Sequence, residues 1–99
     1  MVEEIAFISV VEGKEVAFET AVSTASRDIF PQAKGFVSLS LARGIEKSQT
    51  YALQIIWETV EDHTEGFVKS DLFTQWRGLI TGILDGTPTV EHWRPVDLT

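Results

Sequence analysis

Two neighbouring segments, residues 36–43 and 50–58, each alternate between two sets of side chains, as strands do when their faces meet different surroundings. In residues 36–43, one predicted face carries Val37, Leu39, Leu41 and Arg43, and the other carries Phe36, Ser38, Ser40 and Ala42. The connection between the segments is short and contains turn-forming residues such as Gly44 and Ser48. Because so short a link suits antiparallel neighbours, the pair predicts a β-hairpin that any fold of this chain must contain.

The segments around the hairpin switch between strand and helix periodicity. Residues 4–11 are rich in β-branched and aromatic types and predict a first strand, and residues 89–94 predict a last one. Apolar side chains recur at helical spacing over residues 13–30. A second helical stretch, residues 59–85, is expected to be interrupted near Gly66.

This order, β-α-β-β-α-β, predicts an α+β, ferredoxin-like fold with a four-stranded antiparallel sheet and both helices on one face. Residues 1–99 are expected to form one domain. The second sheet face then has no cover within the chain, and it is expected to carry Phe36, Ala52 and Ile56 without the charged pattern of a wet face. We therefore expect a homodimer that forms through the sheet faces.

Charge and composition exclude several classes of function. The chain has 8 Lys and Arg against 15 Asp and Glu, a formal net charge of −7, which disfavours binding to nucleic acid or to an anionic membrane. It has no Cys, so disulfides, thiolate metal sites and cysteine nucleophiles are excluded. The start, Met1-Val2-Glu3-Glu4, is unlike a signal peptide, and a cytoplasmic protein is expected.

The second half carries a pattern that resembles a known family. The pattern reads Trp57-Glu58-x-x-Glu61-Asp62-His63-x-x-Gly66-Phe67-x-x-Ser70-x-x-Phe73-x-x-Trp76-Arg77, followed by Pro88-x-Val90-Glu91-His92. The chain is similar to the antibiotic biosynthesis monooxygenase domain family, and within it to a poorly characterised branch. The resemblance implies a dimeric α/β barrel. The family includes cofactor-independent oxygenases that act on aromatic polyketides and quinols, haem-degrading enzymes, and many members with no known activity, so the resemblance does not by itself fix the function.

The departures from the family narrow what the resemblance implies. Its haem-degrading branch relies on an Asn, a Trp and a haem-ligating His. This chain has no Asn, and Phe67 and Arg77 stand at the Trp and His positions. Haem degradation is therefore not expected. The quinol-oxidising branch tends to carry a His at the place of Phe67, so the usual residues of that branch are not all present either.

Two histidines are the candidates for acid–base chemistry. His63 lies in the predicted first turn of a helix after Glu61 and Asp62, where the helix terminus disfavours its charged form and the acids favour it. Opposed effects of this kind predict titration near neutral pH, which suits a general base. His92, in the last strand, either pairs with His63 or is a partly buried structural residue. A metal site at these two histidines is a further alternative, although no carboxylate stands at ligand spacing.

Further side chains are candidates for binding a substrate. Tyr51 and Trp57 share one face of a strand, where they form either a pocket wall with a polar tip or plain core. Trp76 belongs to the apolar stripe of the second helix. Arg77, next to it, either holds an anionic substrate or pairs with a surface acid.

The leading hypothesis is a monooxygenase-like protein that binds an aromatic or quinol-type molecule between sheet and helices. His63 is the predicted catalytic base. The predicted substrate-binding residues are Tyr51, Trp57, Phe67, Trp76, Arg77 and His92. No cofactor and no metal ion are predicted. The alternative is a non-catalytic dimeric module that binds a ligand or assists a neighbouring enzyme.

Overall fold

The computed structural model describes residues 1–99 and contains the predicted order of elements. The strands are β1 (Val2–Ser9), β2 (Phe36–Arg43), β3 (Thr50–Trp57) and β4 (Thr89–Trp93). They form one antiparallel sheet in the order β2-β3-β1-β4. The helical segments are α1 (Glu15–Asp28), a 3₁₀ turn (Phe30–Gln32), a π-helix (Asp62–Phe67) and α2 (Asp71–Ile80). The predicted α+β, ferredoxin-like fold is confirmed.

The core lies between the helices and one face of the sheet. In β3, every second side chain is buried, namely Tyr51, Leu53, Ile55 and Trp57. In α1 the buried side chains are Phe18, Ala21, Val22 and Ala25, which recur at three- and four-residue intervals. The strand period of two and the helix period of 3.6 thus place both apolar faces against each other, as the sequence predicted.

The register of β2 corrects one face assignment. A β-bulge between Phe36 and Ser38 shifts the pairing, so that Phe36 lies opposite Trp57 and Ser38 lies opposite Ile56. Phe36 therefore joins the helix side of the sheet, where its ring centroid is 6.0 Å from those of Phe30 and Trp57. The prediction of Phe36 on the uncovered face is wrong, because a bulge inserts a residue and reverses the alternation.

The turn before β2 holds the π-helix close to the sheet. Gly35 adopts φ +81°, a conformation that side-chain-bearing residues rarely take, and its carbonyl accepts a hydrogen bond from the Glu58 amide at 2.8 Å. A Cβ at Gly35 would overlap the side chain of Asp62. The absence of a side chain at this position therefore lets the start of the π-helix approach the turn.

The uncovered sheet face is partly apolar. Ile5 and Phe7 of β1 point away from the helices, and on the same face Ile56 of β3 and Trp93 of β4 lie on either side of Glu3. Glu91 lies opposite Ile5, so the expectation of a face without charges is wrong at these two acids. Phe7 is 41% exposed and Trp93 is 52% exposed. No helix of the protein has the length and apolar character needed to cross a membrane.

Candidate active site

A cavity of about 810 Å³ opens between the sheet and α2. Its floor is formed by alternate residues of β1 and β3, among them Ala6, Ile8 and Leu53, and aromatic rings of the helical segments form its opposite wall. A volume of this size is typical of sites that enclose a small organic molecule. Most of the enclosing surface is apolar, so the few polar groups within it are conspicuous.

A carboxylate lies at the sheet side of this cavity. Glu4 of β1 is only 6% exposed. The indole N–H of Trp57 donates a hydrogen bond to Glu4 Oε1 at 2.9 Å, and His63 Nε2 lies 3.3 Å from the same oxygen. Because burying an acid without partners is costly, these two N–H groups compensate the loss of water at Oε1.

His63 is held between two further groups. Its Nδ1 lies 2.8 Å from Nε2 of His92. Its ring stacks on Trp57 with centroids 5.5 Å apart and an angle of 21° between the planes. His92 in β4 pairs directly with Glu4 in β1, so the sheet register places both on the same side of neighbouring strands. The predicted pairing of His63 with His92 is therefore present, whereas His92 itself is exposed and not partly buried.

Burial governs the titration of this cluster. It raises the pKa of Glu4 to about 7, and the hydrogen bond from Trp57 opposes that rise. Burial also lowers the pKa of His63 to about 4, and the charge of His92 acts in the same direction. The expectation that Glu61 and Asp62 would keep His63 titrating near neutral pH is wrong, because the ring is desolvated and its acidic neighbour is Glu4.

When Glu4 is ionised, only one tautomer of neutral His63 can form hydrogen bonds with both Glu4 and His92. Nε2 carries the proton and donates to Glu4 Oε1, and Nδ1 accepts from the Nε2–H of His92. Both ring nitrogens are then engaged by protein groups. In this state the contact with Glu4 is a hydrogen bond and not an ion pair.

The helix that carries His63 is wider than an α-helix. The Val68 amide donates to the His63 carbonyl, five residues earlier, at 3.0 Å. Such π-helical turns are rare and often lie at functional sites. Gly66, where the sequence predicted an interruption, lies within this segment, and the widened turn leaves His63 and Phe67 both buried.

The structure brings most of the predicted site residues to the cavity. Its lining includes His63, Phe67, Trp76, Arg77 and His92. The Arg77 guanidinium makes no salt bridge with the protein and lies 5.9 Å from the centre of the Phe73 ring. The surface ion pair considered as an alternative for Arg77 is therefore absent.

Two predicted residues lie outside the cavity lining. Tyr51 is 1% exposed, packs on Phe18 with ring centroids 4.8 Å apart, and donates a hydrogen bond to Glu19 at 2.6 Å. Burial and the nearby Glu19 carboxylate raise the pKa of Tyr51 to about 12. Trp57 lies behind His63 and Glu4 and reaches the site only through them. For both residues, packing in the core was the alternative reading, and it describes their positions.

Glu4 is not among the site residues predicted from the sequence. The alternation of the strand indicates its burial. Glu4, Ala6 and Ile8 stand two positions apart, and Ala6 and Ile8 lie on the core face of β1. A charged residue in that register is a buried acid unless the strand is displaced. No group of three or more His, Asp or Glu side chains is arranged so that it could hold a metal ion.

Comparison with known proteins places these observations in a family. The sequence profile of the antibiotic biosynthesis monooxygenase family matches residues 1–79. The chain belongs to this family. It is 40% identical over 96 residues to the uncharacterized protein YczJ of Bacillus subtilis (strain 168), a match that spans 97% of this chain and 100% of YczJ.

Solved structures of this monooxygenase family agree with the fold. A provisionally assigned antibiotic biosynthesis monooxygenase from Bordetella bronchiseptica is 39% identical, with a TM-score of 0.93 over 96% of each chain. SnoaB, a cofactor-independent oxygenase from Streptomyces nogalater, is 17% identical with a TM-score of 0.79, covering 97% of this chain and 93% of SnoaB. At that identity the likeness to SnoaB concerns the fold alone.

Proposed function

We propose that the protein binds an aromatic or quinol-type molecule in the 810 Å³ cavity and oxygenates it with O₂, without a cofactor. The observation that carries this proposal is the acid–base cluster of Glu4, His63 and His92 at an otherwise largely apolar cavity. Family membership and the existence of a cofactor-independent oxygenase with the same fold support it.

The proposed chemistry needs only proton transfer and a dry site. Loss of a proton from a quinol or anthrone leaves an electron-rich anion that reacts directly with O₂. One oxygen atom stays in the product as a carbonyl, the other leaves as water, and the substrate supplies all the electrons. The protein would remove the proton, stabilise the anion and exclude bulk water.

The cavity walls fit these requirements. Phe67 and Trp76 offer aromatic surface against which a planar substrate can pack. Arg77 offers a cation without a protein partner, and His92 offers a second N–H group near the cluster. In a chain of net charge −7, a single arginine at the cavity is suited to hold the negative charge that develops on the substrate.

Oxygen uptake over a panel of quinols and anthrones tests this function. Wild-type protein is expected to consume O₂ with at least one member. His63→Ala is expected to lower the rate by at least about 10²-fold, because the acid–base cluster then loses its central residue. Glu65→Gln, in the same π-helix but with a side chain 61% exposed, is the matched control and should retain the rate.

A folded protein that binds these compounds but consumes no O₂ would contradict the proposal. That result would favour the alternative function, a non-catalytic ligand-binding or accessory module. Isothermal titration with the same panel separates the two functions, because it reports binding whether or not turnover follows.

We further propose that the protein is a homodimer that buries the uncovered sheet face. Phe7→Asp is expected to convert the dimer to a monomer, because it places a charge beside Ile5 and opposite Ala52 and Thr89, on the face that the second subunit would cover. Sedimentation velocity measures the change. Val16→Asp, at a position 78% exposed on α1, is the control and should leave the mass unchanged. A wild-type monomer, or a Phe7→Asp dimer, would contradict this assignment.

The remaining expectations follow from charge and sequence. We propose that residues 1–99 act as one domain in the cytoplasm, and that the partners are a second copy of the chain and a small molecule. The net charge of −7 supports the exclusion of nucleic acid and anionic membranes as partners.

A further inference from the structure

His63 has no free nitrogen with which to take a proton from a substrate. Nε2 lies 3.3 Å from Glu4 Oε1, and Nδ1 lies 2.8 Å from His92 Nε2. To act as the base, the ring would have to break one of these contacts. Stacking on Trp57 and Phe67, at centroid distances of 5.5 and 6.4 Å, holds the ring in its present plane.

Glu4 has the free atom that His63 lacks. Oε1 accepts from Trp57 and contacts His63, whereas no protein group bonds to Oε2. Glu4 lines the cavity. Every side-chain oxygen that is fully buried in the protein has a hydrogen-bond partner, so an oxygen without a partner, such as Oε2, is not fully buried. Oε2 therefore keeps accessible surface, and the open space beside Glu4 is the cavity.

We propose that Glu4 is the catalytic base and that its Oε2 takes the substrate proton. This inference rests on the proposed oxygenase function. In the step, the substrate O–H or activated C–H bond breaks, its electron pair stays on the substrate, and a new O–H bond forms at Oε2. The resulting anion is the species that O₂ oxidises. His63 and His92 are then positioning residues that orient the carboxylate.

The electrostatics of the cluster agree with this division of roles. A carboxylate whose pKa is raised to about 7 is a stronger base than an imidazole whose pKa is lowered to about 4. The N–H groups of Trp57 and His63 both point at Oε1, so they hold the carboxylate in place without occupying Oε2. From α2, Arg77 lines the same cavity and can compensate the negative charge that moves to the substrate.

A dye that changes colour on ionisation tests the base without turnover. The probe is a monohydroxyanthraquinone, used at a pH where the free dye is neutral. Wild-type protein is expected to bind it as the coloured anion. Glu4→Gln is expected to bind it as the neutral phenol, whereas the exposed control Glu12→Gln should ionise it as the wild-type protein does. His63→Gln, which keeps the proton acceptor but loses one contact that orients it, should ionise part of the bound dye. Ionisation that survives in Glu4→Gln but not in His63→Gln would overturn the assignment in favour of His63.

Infrared difference spectroscopy gives a second readout that needs no variant. Binding of the dye to wild-type protein is expected to produce a new band of a protonated carboxyl group, since Glu4 receives the proton. A dye that binds only as the neutral phenol, fails to bind, or ionises without this band would overturn the assignment.

Oxygen uptake then separates this inference from the proposed function. If wild-type protein turns over a substrate, Glu4→Gln is expected to lower kcat by about 10²-fold or more. An unchanged kcat in that variant would overturn the role of Glu4 while leaving the oxygenase intact. If wild-type protein ionises the dye but turns over nothing, the oxygenase function fails and the proton acceptor stands.

Discussion

Glu4→Gln and His63→Gln are expected to respond to pH in opposite directions. Glu4→Gln should lose stability as the pH falls from about 6.5 to about 4, because His63 remains and its pKa is lowered to about 4 by burial. His63→Gln should lose stability as the pH rises from about 4.5 to about 7, because Glu4 remains and its pKa is raised to about 7.

The signs follow from which form of each group the folded protein favours. A histidine with a lowered folded pKa favours the neutral ring, so acid populates the unfolded state, in which the ring binds a proton first. A glutamate with a raised folded pKa favours the protonated acid, so base populates the unfolded state, in which the carboxyl ionises first. Between about pH 4.5 and 6.5 the two slopes oppose each other in the wild-type protein.

The expected sizes are large for single side chains. The shift of Glu4 corresponds to about 3 kcal/mol across its window, and that of His63 to about 2 kcal/mol after allowance for water in the adjoining cavity. Urea unfolding at several pH values measures both slopes, with Glu12→Gln as the control for loss of one exposed acid. Parallel stability curves for the two variants would show that burial does not govern these groups.

Phe30→Ala is expected to lower the free energy of unfolding by about 3–5 kcal/mol. Phe30 is 1% exposed, and its ring centroid lies 4.9 Å from that of Phe67 and 5.4 Å from that of Trp76. Its removal loses apolar burial and aromatic contacts and enlarges the cavity that the ring borders.

The comparison for this variant is Ile45→Ala, at a position 90% exposed. That change should alter the free energy of unfolding by no more than about 0.5 kcal/mol. Chemical denaturation of both variants gives the difference directly. A loss below about 1 kcal/mol in Phe30→Ala would mean that neighbouring rings collapse into the vacated space.

Periodicity predicted the elements of the fold because most of the sheet and α1 follow one period without interruption. The strict alternation in β3 gave the buried set Tyr51, Leu53, Ile55 and Trp57. The same reasoning misplaced Phe36, because the bulge in β2 depends on the pairing with β3 and not on the residues of β2 alone.

The candidate site was predictable only in part. The pairing of His63 with His92 could be considered from the order of elements, since the last strand lies at the edge next to β1. The burial of His63 could not be predicted, because it depends on the π-helical turn and on how that turn stacks the ring against Trp57 of β3. Burial of Glu4 is predictable from the alternation in β1, because Glu4 stands in the same series as the buried Ala6 and Ile8.

Along β1, a single strand separates the cavity from the uncovered face of the sheet. Glu4 and Ala6 face the cavity, while Ile5 and Phe7, their immediate neighbours, face the uncovered side. A ligand in the cavity and a second subunit on the sheet would therefore press on opposite sides of the same eight residues. Thermodynamic linkage then requires reciprocity. If dimerisation changes the affinity for the ligand by some factor, the ligand changes the affinity between subunits by the same factor.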